Sequence, residues 1–475
     1  MKARLILLLA VFAPEAIFAQ TTPSDSASRA PIEKGRILPQ VVCERNSQQS
    51  YALYVPSGYS PAHSWPIVYF FDPAARGSMP LERAKEAAEQ YGFILAGSNN
   101  SRNGSYKPEL EAADAMVVDT QLRLSVDVHR VYFAGFSGGA RIASLLAFQC
   151  KCAAGVLLSG AGFWVGASPS RENSFAVFSA VGNTDFNYPE LISLQEKLSQ
   201  AGFPHWMRTF DGTHEWAHAQ VFEEALSWFR LNAMKSSREP RDDVFVRTHV
   251  LKSTAYAESL EKDGNALAAW REYSQVAAAY DSLVDVEALR AKADLLGKEK
   301  AVHDALKKER SDFEEQQRLT ATIQVALSAK RSADHDTADP ANGADEKARQ
   351  LHSLAEQEKN VERKVVLQRA LSGVLVGCME AGLDLLEQKD YSHAVRAFSC
   401  AAQAGPSSQW AWSNLAGAQA LAGNHKDAVN ALRHARDLAT DKASFATWLN
   451  SEKAFDSLRD TADFKILLES ASVSP

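Results

Sequence analysis

The stretch "RVYFAGFSGGARIASLLA" (130–147) decides the fold. Its first half, an apolar run rich in aromatic side chains, reads as a buried strand, and "GARIASLLAFQ" reads as a helix. At the junction lies Gly135-Phe136-Ser137-Gly138-Gly139, with no room for a loop. A turn that tight needs small flanking residues, and it holds its central residue in a strained conformation with the side chain projecting from the sheet. Gly138 then offers a backbone N–H at the start of a helix, where the helix dipole favours negative charge. The competing reading is a plain glycine-rich β-α turn with an idle serine.

Outward from this turn, residues 35–234 alternate between two grammars. "PIVYFFDP", "GFILAGS", "AAGVLLSG" and "FAVFSAVGN" read as further buried strands. "PLERAKEAAEQY", "ELEAADAMVVDTQLRL", "PELISLQEKLSQ" and "AQVFEEALSWFRLNAM" read as helices between them. Regular alternation implies an α/β architecture, with a mostly parallel sheet covered on both faces. In such a sheet the functional loops leave the carboxyl ends of the strands.

A serine at neutral pH needs a base to become a nucleophile, and the base needs an orienting acid. The loop after "FAVFSAVG" carries Asp185, and the loop after the strand-like "HWMRTF" carries His214. Asp211 is a rival acid, but three residues along one loop is poor geometry for holding an imidazole from behind. The second donor to an oxyanion is expected from the loop after "PIVYFFDPAARG". Pro73 has no N–H, which points to Ala74 beside Gly138. "SNNSRNG" (98–104) leaves the sheet at the same edge, either to line a pocket or as a plain polar loop.

His214 also opens "HEWAH" (214–218), which matches the H-E-x-x-H pattern of zinc peptidases. That chemistry needs both histidines one turn apart inside a helix. Gly212 lies two residues before His214, directly after a strand, so His214 is expected in a loop or first turn, with no metal bound. His218 is then expected on the helix face, with Glu215 and Trp216 bordering the pocket.

Beyond residue 240 the strand signals stop. A helical region (240–330) leads to a linker (331–346, containing "SADHDTADPANGADE") and a second helical domain (347–472). "GKEKAVHDALKKERSDFEEQQRL" reads as a long solvated helix. The last hundred residues repeat every 34: Gly382 aligns with Ala416, Ala394 with Ala428, Phe398 with Leu432, and Ala401 with Ala435. Small residues recur where two helices touch, which resembles the tetratricopeptide pattern. "ALAAWREYSQVAAAYDSL" (266–283) reads as a degenerate earlier copy. Two clear units are expected to lean on flanking helices, and the pattern implies a protein partner rather than chemistry.

The 475 residues need more than one core, and a net charge of −7 gives no reason to expect nucleic acid. Lys2 and Arg4 precede the apolar run "LILLLAVFA", and Ala19 offers a small residue before a cut, which reads as a secretory signal (1–19) followed by a linker (20–34). The expected mature protein is periplasmic or secreted, without a membrane span. Export permits disulfides, and five cysteines leave at least one outside intrachain pairs. Cys378 and Cys400 fall on paired helices and could bridge. Cys150 and Cys152 are expected as buried thiols or as partners of an outside group.

"RVYFAGFSGGARIA", "GNTDFNY" and "GTHEW" together resemble the serine-esterase branch of the α/β hydrolases, near polyhydroxybutyrate depolymerases and feruloyl esterases, over residues 35–234. The resemblance implies Ser137 as nucleophile, Asp185 as orienting acid and His214 as base, with no cofactor and a small-molecule or polymeric ester as substrate. It departs at "FFDPAARG", where many relatives carry a His-Gly oxyanion motif. Two other readings remain: a peptidase on the same three residues, and a non-catalytic interaction protein using the helical repeats.

Overall fold

The structure is a computed structural model that describes residues 32–167, 169–170, 173, 175–328 and 343–472. The expected secretory signal (1–19), nearly all of the expected linker at 20–34 and most of that at 331–346 lie outside the described residues. The chain forms two compact units.

The first unit is built on one eight-stranded sheet. Its strands are β1 (Ile37–Val42), β2 (Ser50–Tyr54), β3 (Trp65–Phe71), β4 (Ile94–Ser98), β5 (Val126–Phe136), β6 (Ala153–Ser159), β7 (Ala176–Gly182) and β8 (His205–Phe210). Their order across the sheet is β1-β2-β4-β3-β5-β6-β7-β8. Strands β3 to β8 run parallel, and the β1–β2 hairpin joins β4 antiparallel. The sheet is mostly parallel, as the pattern of strands and helices requires.

Helices α1 (Ser78–Tyr91), α2 (Tyr106–Arg123), α3 (Gly138–Gln149), α4 (Tyr188–Ala201) and α5 (Ala219–Lys235) follow the strands from β3 onward, except that β6 leads to β7 with no helix among the described residues between them. Every residue of β4, β6 and β7 is buried, which explains their continuous apolar runs. Fully buried aromatics such as Phe70, Phe178, Phe222 and Phe229 contribute roughly 1.5–3 kcal/mol each.

The pattern of apolar runs does not mark β1 or β2. β1 contains Pro39 and shifts register between Leu38 and Val41, a pattern open to an edge strand. The first unit also holds α6 (Asp243–Lys262), α7 (Ala266–Tyr280) and α8 (Glu287–Leu296), and α7 meets the opposite edge, β8. Gln275 of α7 accepts from the Met207 N–H at 2.6 Å, and Glu272 holds Arg208 at 2.9 and 3.2 Å. Val246, Val276 and Tyr280 join the sheet's apolar core.

The second unit is helical. It holds α9 (Lys300–Ser328) from Asp304 onward, α10 (Ala344–Gln357), α11 (Val361–Glu387), α12 (Tyr391–Ala404), α13 (Gln409–Leu421), α14 (His425–Leu438), α15 (Lys442–Ser451) and α16 (Ala462–Ser472). It also takes in two short segments, Asn183–Pro189 and Asp211–His214, which follow β7 and β8. Helices α12 and α14 start and end 34 residues apart. Phe398 fills the space over Gly382, where a Cβ would meet its ring at 2.5 Å.

Cys378 and Cys400 are disulfide-bonded, and Cys43 is free and buried. Cys150 and Cys152 pair with each other rather than staying as buried thiols or seeking an outside group, because the turn after α3 brings them together. Among the described residues no helix is long and apolar enough to cross a membrane.

Candidate active site

The turn after β5 is shaped by backbone contact. A Cβ on Gly135 would lie 2.0 Å from the Gly139 carbonyl oxygen, and one on Gly139 would lie 2.0 Å from that of Phe71. Side chains at either position would force the strand, turn and helix apart. Ser137 adopts φ 54° and ψ −122°, a conformation that costs a non-glycine residue about 1–3 kcal/mol. Its N–H donates to the Ser159 carbonyl at the end of β6, at 2.9 Å. Its hydroxyl makes no capping bond to α3.

Asp185 and His214 come together. His214 Nδ1 lies 2.9 Å from Asp185 Oδ2. The carboxylate is fully buried, and the imidazole side chain keeps 12% of its surface exposed. Asp185 Oδ1 accepts from the Asn187 N–H at 2.8 Å, so both carboxylate oxygens are engaged. The loops carrying the pair are zipped together: the Thr184 N–H and hydroxyl donate to the Gly212 carbonyl at 3.1 and 2.8 Å. Asp211 instead accepts from the Asn183 amide at 3.2 Å, tying one loop to the other. The Phe186 ring packs on the imidazole, with centroids 4.4 Å apart.

The histidines of "HEWAH" do not share a helix. α5 begins at Ala219, and His218 is its N-cap residue, packed on Phe210 rather than displayed on a helix face. Trp216 does not border a pocket. It is fully buried among Phe70, Phe136 and Phe222, and its indole N–H donates to Asp72 Oδ2 at 2.8 Å. Among the described residues no group of three or more His, Cys, Asp or Glu side chains is placed to hold a metal ion.

Ala74 also needs correction as an oxyanion donor. Its N–H donates to Asp72 Oδ1 at 2.9 Å. Burial works against the Asp72 charge, but hydrogen bonds from Arg76, Trp216 and Ala74 outweigh it and hold the carboxyl below its ordinary value. A buried carboxylate is a strong acceptor, which is why it takes this amide. The loop of "SNNSRNG" pairs with the same segment through an Ala74–Arg102 bridge. This brings the Asn103 carboxamide against Gly138, where a Cβ would meet Oδ1 at 1.9 Å and Nδ2 at 3.3 Å.

No family model matches the chain, and no curated protein is similar to it in sequence. Solved structures do align with it. An S-formylglutathione hydrolase from Staphylococcus aureus is 14% identical over 38% of this chain and 92% of that one, with a TM-score of 0.32. A fluorophosphonate-binding serine hydrolase from the same organism is 12% identical over 42% and 99%, at 0.33. An archaeal esterase from Pyrobaculum calidifontis is 13% identical over 43% and 87%, at 0.34. At such scores the chemistry has to rest on this chain's own residues.

Proposed function

We propose that the protein is a serine hydrolase that cleaves carboxylic esters through an acyl-enzyme. The observation that carries the reading is the His214–Asp185 hydrogen bond, together with a strained serine turn on the same sheet. Ser137 follows β5, and Asp185 and His214 follow β7 and β8, so each lies after the carboxyl end of a strand in the parallel part of the sheet. With Asp185 on Nδ1, the imidazole keeps Nε2 for the serine hydroxyl.

In this mechanism Ser137 Oγ attacks the ester carbonyl while His214 takes its proton. The carbonyl oxygen gains charge and is held by the Gly138 N–H at the start of α3. The Asn103 carboxamide is the second donor, in place of Ala74. Collapse expels the alcohol, which receives the proton from His214. Water then attacks the acyl-serine, with the same histidine as base, and releases the acid.

The reading includes export. The N-terminal run and the two disulfides support it, since such bonds persist in oxidising compartments. It also includes tetratricopeptide-like packing of the C-terminal helices, supported by the shared offset of α12 and α14.

A fluorophosphonate probe tests the chemistry. The folded protein should be labelled and should hydrolyse p-nitrophenyl acetate, and Ser137→Ala should lose both. An unlabelled, inactive wild-type protein would overturn the proposal.

A further inference from the structure

We propose that α9 and α11 hold the Asp185–His214 pair in working geometry, with Arg369 as the principal positioning residue. This rests on the reading of that pair as the acid and base of a hydrolase. The segment Asn183–Tyr188, which carries Asp185, is gripped at three points within the helical unit. Arg369 of α11 donates through Nε to the Asn183 carbonyl at 2.6 Å, and its guanidinium lies 3.7 Å from the centre of the Tyr188 ring. Gln316 of α9 donates to the Phe186 carbonyl at 2.8 Å. Gly373 of α11 sits directly on Phe186, where an added Cβ would meet the Phe186 Cβ at 3.2 Å. Phe186 in turn lies on the His214 ring.

These contacts bracket Asp185 on both sides along the chain. One fixes the carbonyl two residues before it, one the carbonyl immediately after it, and one the ring at 188. Both gripping side chains are buried, each 8% exposed. Burial lowers the Arg369 guanidinium from its ordinary value, with Tyr188, Glu309 and Asp312 opposing. Gln316 Oε1 is buried without a hydrogen-bond partner, which costs about 1–3 kcal/mol. Two buried polar side chains held at such cost, both donating to the backbone around one carboxylate, fit a positioning role. The loop's internal bonds, from the Asn187 N–H to Asp185 Oδ1 and from the Tyr188 N–H to the Asp185 carbonyl, close only a local turn, and others run to the short Asp211–His214 segment.

The test uses the full chain with Arg369→Ala, Arg369→Lys and Gln316→Ala, read in two ways. The first is the downfield proton resonance of the His214–Asp185 hydrogen bond in histidine-labelled protein, assigned by its loss in Asp185→Asn. The second is ester turnover, with kcat and KM separated. Outer partners of metal-ligating side chains are typically worth about 10- to 100-fold, and the same scale is expected for a partner that positions a carboxylate. Arg369→Ala should therefore lower kcat by about that factor with KM nearly unchanged, and should broaden the downfield resonance. Arg369→Lys, which can still reach the Asn183 carbonyl, should recover part of both, and Gln316→Ala should move both less in the same direction. A folded Arg369→Ala or Gln316→Ala protein with the resonance and kcat of wild type overturns the positioning role. The resonance does not depend on turnover. If wild type neither reacts with fluorophosphonate nor turns over ester, yet the resonance still depends on Arg369, the ester reading falls while the grip on Asp185 stands.

Discussion

The turn at Ser137 and the loops at Asp185 and His214 reach fixed geometry by opposite routes. The serine turn is rigid because the chain around it has no space: two glycines press on neighbouring carbonyls, and the serine backbone takes a conformation it would not choose alone. The other two loops have ordinary backbones and are fixed by bonds from each other and from helices far along the chain. A catalytic group can thus be positioned by local exclusion or by distant attachment, and the two respond differently to substitution.

The largest test breaks the comparison at the proposed nucleophile. Ser137→Ala should reduce ester turnover on the order of 10^6-fold, measured as kcat against p-nitrophenyl acetate. Asp185→Asn keeps the shape of the distant-attachment side but offers the imidazole the wrong partner, and by analogy with other triads should cost about 10^4-fold in kcat. Asn103→Ala leaves both routes intact and removes only the proposed second oxyanion donor. A loss of about 10^2- to 10^3-fold in kcat is expected, and a wild-type rate would return that role to a backbone amide.

On the serine side, Gly139→Ala should act through stability. Its Cβ would fall on the Phe71 carbonyl, and backbone displacement should cost about 3 kcal/mol in urea unfolding. If Gly139→Ala is neutral, local exclusion is not what holds the turn.

The smallest effect sharpens the serine side. Glu109 in α2 is 5% exposed, and burial raises its carboxyl to about 7 from an ordinary 4.5. The folded state binds this proton more tightly than the unfolded chain. The stability so gained is complete below about pH 4.5 and is lost as pH rises through about 7. Glu109→Gln stays neutral, so it should be more stable than wild type by about 1–3 kcal/mol at pH 8 and close to it at pH 5, by denaturant midpoints.

Much of the sheet could be read from short-range pattern. Strands β3, β4, β6, β7 and the second half of β5 are continuous apolar runs because both faces are buried, and α1 to α5 follow from helical spacing. The hairpin β1–β2 could not be read this way, because Pro39 and a register shift erase the alternation. Nor did "HEWAH" disclose its own structure. Trp216 looks like pocket material beside a histidine, yet the buried Asp72 carboxylate draws its indole inward, and the same carboxylate takes the Ala74 amide. Both misreadings have one cause: an aspartate in "FFDP" that reads as a turn residue is buried and collects donors from 144 residues away.

What the sequence determined alone is the need for glycine at 135, whose Cβ would meet the Gly139 carbonyl within the same turn, whereas Gly139 meets the Phe71 carbonyl only once the strands are packed. The placing of Asp185 and His214 on loops at the same sheet edge was legible too, since strand direction is set by the alternation of strand and helix. The tertiary structure decided which carboxylate meets the imidazole and what keeps it there. Arg369 and Gln316 reach their acceptors across 186 and 130 residues of chain. A hydrogen bond leaves no periodicity in the sequence when its two ends are brought together only by packing.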